Sequence, residues 1–150
     1  MEKVESSIEV DAPRRQVYEA WTRFEEWPTY MEGIESAEQV TDRRVRFKGE
    51  VGGKEREWSA QITEQVPDER ISWRSVEGAE NNGTLTFSES GDGGTRIDLR
   101  LEFDPETWTE KAGAAVGILD ARIKGDLKRF KERVEERSAT AGGARTAGRL

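Results

Sequence analysis

Between Lys54 and Ser75 the chain reads KEREWSAQITEQVPDERISWRS, two alternating segments separated by Pro67-Asp68. The alternation predicts two strands around a turn, with Trp58, Ile62, Val66, Ile71 and Trp73 on one face. Gly52-Gly53, just upstream, suits a two-residue hairpin loop. That loop pairs the preceding segment with this one and sets Phe47 opposite Trp58 and Val45 opposite Ala60. A sheet with so many rings on one side has to cover that side, so a long amphipathic element is required elsewhere in the chain.

The remaining periodicities supply both sheet and cover. Val4, Ser6, Ile8 and Val10 alternate with Glu5, Ser7 and Glu9, the pattern of a first strand with one buried face. Asp11 is placed to cap a helix with Pro13 in its first turn. Val17, Ala20, Trp21 and Phe24 then recur at helical spacing until Trp27-Pro28 interrupts them, giving two short helices over about Pro13 to Tyr30. Six further strands are expected at Ile34–Val40, Arg43–Val51, Lys54–Val66, Arg70–Val76, Thr84–Glu89 and Thr95–Phe103, as an antiparallel meander. Asp104-Pro105 introduces a long helix from about Glu106 to Arg137. Its apolar stripe of Val116, Leu119, Ile123, Leu127, Phe130 and Val134, extended backwards by Trp108 and Ala112, is the required cover. Ser138–Leu150 has no periodicity and is Ala/Gly/Thr-rich; it is expected to be a disordered tail beyond a domain of residues 1–137.

Composition narrows the function. At 150 residues the chain is one domain of ordinary size, and a net charge of −7 argues against a nucleic-acid partner, which would call for clustered Lys and Arg. The absence of Cys and His removes disulfides, thiolate catalysis and the commonest metal ligands, and there is no phosphate-loop glycine pattern, so neither a metal nor a cofactor is expected. No apolar run is long enough to span a membrane or to form a signal-peptide core, so the expected location is the cytoplasm.

The order of elements, with the phrases VDAPRRQVYEAWTRFEEWPTYMEGIES, REWSAQITEQVPDERISWRS and GDLKRFKERVEE, resembles the START-like (SRPBCC) superfamily, and more closely its bacterial polyketide cyclase/dehydrase-like members. The resemblance covers about residues 2 to 137. It implies an α+β helix-grip fold: a curved seven-stranded antiparallel sheet wrapped around a long C-terminal helix, with two short helices after the first strand. It also implies a cavity between sheet and helix, entered near Trp27–Met31 and near Trp108.

The ring-bearing residues are the candidate site. Trp27, Tyr30, Phe47, Trp58, Trp73, Phe87 and Trp108, with Met31 and the inward hydroxyl of Ser75, are expected to contact a ligand. Small inward residues such as Ala60 and Gly49 would leave room between rings. The residues alone leave open whether these rings line a cavity or fill a packed core. Glu64 has inward parity opposite Trp73 and is the one weak catalytic candidate; the alternative is a bulge or strand end where it meets solvent or pairs with Arg74.

Three smaller features complete the reading. Gly113, Gly117, Ala121 and Gly125 form a ridge off the main helix stripe, pointing to close approach by another backbone, a second subunit in a homodimer, a bent helix, or merely an exposed face. Asn82-Gly83-Thr84 reads as a turn before a strand, and the GDGG of residues 91–94 as a hairpin. The leading expectation is binding of a hydrophobic or aromatic small molecule, lipid- or polyketide-like. The alternatives are a polyketide cyclase or dehydratase using the same cavity, and an interaction surface on the sheet's charged back.

Overall fold

The structure, a computed structural model, describes residues 2–51, 54–108 and 112–149, with side chains for 2–50, 55–106 and 116–138. Seven strands run in the order β1 (Glu2–Val10), β2 (Ile34–Thr41), β3 (Arg44–Val51), β4 (Lys54–Val66), β5 (Arg70–Gly78), β6 (Asn81–Glu89) and β7 (Thr95–Phe103). α1 (Arg14–Trp21) and a 3-10 helix (Phe24–Thr29) lie between β1 and β2, while α2 (Pro105–Trp108) and α3 (Ala112–Arg149) follow β7. All neighbours pair antiparallel in the order β1-β7-β6-β5-β4-β3-β2, so the first strand closes beside the last and the rest form a meander. This is the α+β helix-grip arrangement, with the sheet wrapped around α3.

Alternation decides which side each strand buries. In β6, Asn81, Gly83, Leu85 and Phe87 are buried while Asn82 is exposed; in β7, Thr95, Ile97, Leu99 and Phe103 face the same way. α3 covers this face with Leu119, Leu127, Phe130 and Val134, all buried, and with Val116 and Ile123 packed against the core. That is the stripe the spacing predicts; Trp108 and Ala112 have side chains outside the described residues. Gly52-Gly53 also lies outside them, yet the register on either side is the expected one, Phe47 opposite Trp58 and Val45 opposite Ala60.

Three local expectations are corrected and one is narrowed. Asp11 does not cap α1: Pro13 occupies the N-cap position without a side-chain cap bond, and the Asp11 amide instead donates to Glu135 at 2.7 Å. Asn82-Gly83-Thr84 is not a turn but part of β6; the turn comes earlier, at Gly78, whose φ of +82° suits glycine. Of the glycine ridge on α3, the described positions fit the exposed-face alternative: Gly117 has open space around it, Ala121 is exposed, and the nearest neighbour of Gly125 is the Arg129 guanidinium, while Gly113 lies outside the residues with described side chains. Finally, the helical backbone continues past Ser138 to Arg149, where the sequence suggests no regular structure. Alanines favour helical backbone, and Val134 is the last α3 side chain in the core cluster among the described residues.

Two bulges bend the central strands. Ile62 faces Trp73 but Glu64 faces Ser72, leaving Thr63 as an extra residue in β4; Ala60 faces Ser75 but Ser59 faces Glu77, leaving Val76 extra in β5. Each inserts one unpaired residue and sharpens the local twist, helping the sheet to curl.

Candidate functional site

Between the sheet, α1, the 3-10 helix and α3 lies a hollow of about 150 Å³. Three rings from three elements form one wall. Trp27 of the 3-10 helix stacks on Phe47 of β3, with centroids 5.2 Å apart and planes 21° apart, and Phe47 stacks on Trp58 of β4 at 5.5 Å and 23°. Phe24 and Trp21 pack edgewise or tilted against Trp27, and the Trp27 indole N–H donates to the Trp21 carbonyl at 3.0 Å. That bond satisfies the polar edge of Trp27 inside its own segment, so the ring turns its apolar faces to the hollow.

The opposite end is built around Trp73, with Ile62, Ile71 and Leu101 beside it and Leu119 of α3 among the lining residues. Trp73 lies against Gly83, its partner across β5 and β6, where a Cβ would come within 2.2 Å of the indole. Its Nε1–H donates to the Asn81 side-chain oxygen at 2.9 Å, and the Asn81 amide N–H donates to Ser75 Oγ at 3.0 Å. Among the described residues that line the hollow, Asn81 is the only polar one and none is ionisable.

A polar clasp ties α3 to the segment between the 3-10 helix and β2. Arg129 Nε donates to the Tyr30 carbonyl at 2.7 Å, and Asp126 Oδ1 accepts from the Glu32 amide at 3.0 Å and from Arg129 Nη2 at 2.5 Å. Burial pushes the Asp126 carboxyl up, opposed by the Glu32 amide and Arg129. Arg122 donates to the Glu50 carbonyl, and the Glu50 amide donates to Gly33 O at 2.9 Å. Further along α3, the hydrogen bond from Arg137 holds Glu26 below the usual carboxylate range, against a desolvation that works upward, with Arg133 assisting. Burial, and next the charge of Glu26, pushes the Tyr30 phenol up.

The structure brings together four of the sequence-based candidates, Trp27, Phe47, Trp58 and Trp73. Tyr30 and Met31 are buried outside the lining, with Tyr30 against Phe130 at 5.5 Å. Phe87 packs edgewise on Tyr18, and Ser75 serves the Asn81 backbone instead of the hollow. The Trp108 side chain lies outside the described residues. For Glu64 the inward reading fails and the bulge alternative holds: the Thr63 bulge reverses strand parity just before it, so Glu64 turns away from Trp73, its side chain is 45% exposed, and it pairs with Arg70 instead of Arg74. Sequence reasoning missed Asn81. Its signal was the two-residue alternation with Gly83, Leu85 and Phe87, hidden by reading Asn82-Gly83 as a turn.

Comparison with known proteins gives a consistent picture. The sequence profile described as "Polyketide cyclase / dehydrase and lipid transport" matches residues 10–132. An uncharacterised 17.2 kDa protein of the melC2-rnhH intergenic region of Streptomyces lincolnensis is 45% identical over 148 residues, spanning 98% of this chain and 99% of the relative. Among solved structures, Zhui aromatase/cyclase from Streptomyces sp. R1128 superposes with a TM-score of 0.77 at 20% identity, covering 94% of this chain and 98% of that one. A START superfamily protein from Mycobacterium smegmatis gives 0.70 at 14%, covering 93% and 98%. At these identities both structural likenesses are likenesses of fold.

Proposed function

The chain belongs to the polyketide cyclase/dehydrase and lipid transport family, and on that footing we propose that it binds a hydrophobic or aromatic small molecule in the hollow between the curved sheet and α3. The observation that carries this reading is the wall itself: Trp27, Phe47, Trp58 and Trp73 around a space with no ionisable side chain among the described lining residues. Such a space is poorly suited to water, which needs several polar partners, and well suited to an apolar guest. Binding removes apolar ligand surface from water at roughly 25 cal/mol per Å² without asking any charged group to give up its hydration.

The rival reading is a cyclase or dehydratase that holds a reactive polyketone by shape. It would draw proton transfer from groups outside the lining described above, and the Glu64 position offers no help, since its carboxylate is turned away to Arg70. Titration with ethylbenzene, followed through the indole N–H resonances, tests the binding reading: shifts concentrated on lining tryptophans support it, and a spectrum unmoved up to ligand solubility contradicts it. Recovery of an unmodified apolar molecule on mass spectrometry of the purified protein would support binding, whereas turnover of a polyketone above background would favour the rival.

A further inference from the structure

The lining of the hollow carries a constraint on its occupant beyond apolarity, and this rests on the binding reading above. Asn81 is 5% exposed and is among the residues that line the hollow. The Trp73 indole N–H can only donate, so the atom it meets at 2.9 Å has to be the amide oxygen, which fixes which way the Asn81 amide faces. Its backbone N–H is committed to Ser75 Oγ. Of the two hydrogens on Nδ2, one is directed at the Ala79 carbonyl, a long contact of 3.4 Å, and the other meets no acceptor among the described residues. The second hydrogen of a buried amide is free to take an acceptor, and leaving it without one costs free energy.

We propose that Asn81 Nδ2 donates a hydrogen bond to the ligand, and that the ligand is a neutral, single-ring aromatic molecule bearing a carbonyl-type acceptor. Each part has its own ground. Neutrality follows from a lining without ionisable groups among the described residues, where a carboxylate or ammonium would find no counter-charge. Size follows from the volume of about 150 Å³, since a dry cavity of about this size accepts benzene. The aromatic ring suits the Trp27, Phe47 and Trp58 stack, which offers it ring faces and edges. The acceptor follows from the spare N–H, since the amide oxygen already accepts from Trp73 and the second Nδ2 hydrogen is the group left to gain a partner.

Acetophenone and ethylbenzene are nearly the same shape and differ in the acceptor, so their affinities for the parent protein and for Asn81→Leu separate the two claims. The expected result is that the acetophenone-to-ethylbenzene preference falls roughly 3- to 10-fold in Asn81→Leu, the span of one neutral hydrogen bond. Should that variant not fold, the infrared carbonyl stretch of acetophenone bound to the parent gives the same answer: a shift to lower frequency than in hexane supports the bond. A hexane-like stretch, or a preference unchanged by the substitution, overturns the assignment of Asn81 while leaving apolar binding intact. Failure of both compounds to bind overturns the binding reading and the present inference together.

Discussion

Trp73 and Gly83 face each other across β5 and β6, and the indole occupies the space where any side chain at position 83 would begin, 2.2 Å from a Cβ placed there. The glycine is therefore a steric requirement of the tryptophan, and through it of the Trp73–Asn81 hydrogen bond. Gly83→Val should displace the indole and cost about 1–3 kcal/mol, the usual range for overpacking. Chemical denaturation measures the cost, and a neutral result would show that Trp73 is not held where the structure has it.

The α3 stripe predicts the largest losses. Phe130 is 1% exposed and touches both Trp21 and Tyr30, while Leu127 is 2% exposed. Phe130→Ala should destabilise by about 3–5 kcal/mol and Leu127→Ala by about 2–5 kcal/mol. Near-neutral denaturation midpoints for both would mean that another face of the helix meets the sheet.

How much of this was legible beforehand depended on the reach of each interaction. The Phe47–Trp58 register and the Val116–Val134 stripe follow from local periodicity, so they could be read directly. The Thr63 bulge could not: one extra residue exchanges the faces of everything after it, and that exchange turned Glu64 from an inward carboxylate into the partner of Arg70. Gly83 misled for a related reason, since its glycine answers a ring ten positions back and not a local turn. Asp11 shows the same limit at a helix end, where its amide is claimed by Glu135 on α3.

Acid should weaken the joint between α3 and the 3-10 helix. Glu26 titrates in the folded state below its free value of 4.5 because of Arg137 and Arg133. Its contribution is therefore present above the unfolded pKa and lost as pH falls through the folded one. Asp126, raised by burial, has the opposite sign: its contribution is present below the unfolded pKa and lost as pH rises through the folded one. Glu26→Gln should flatten the acid limb of the stability profile, leaving the part due to Glu135, which Lys131 and the Asp11 amide hold low against desolvation. An unchanged limb would deny Glu26 that role.

Deleting Ser138–Leu150 should leave the thermal midpoint where it is, because the segment has no apolar periodicity to bury and, among the described residues, α3 places its last core side chain at Val134. A fall of many degrees on calorimetry would show that the segment docks on the domain.

The central claim, that the ring-lined hollow is open space awaiting a guest, is tested most directly by filling it. Ala60 lies in the lining and is 5% exposed, so Ala60→Leu directs added bulk into the cavity. The measurement is ethylbenzene affinity in this variant, with the denaturation midpoint recorded on the same sample. The account predicts that binding is lost while stability is kept or raised, since the new methyl groups gain contacts in a void. Retained binding, or a loss of about 1–3 kcal/mol in stability from overpacking, would contradict it.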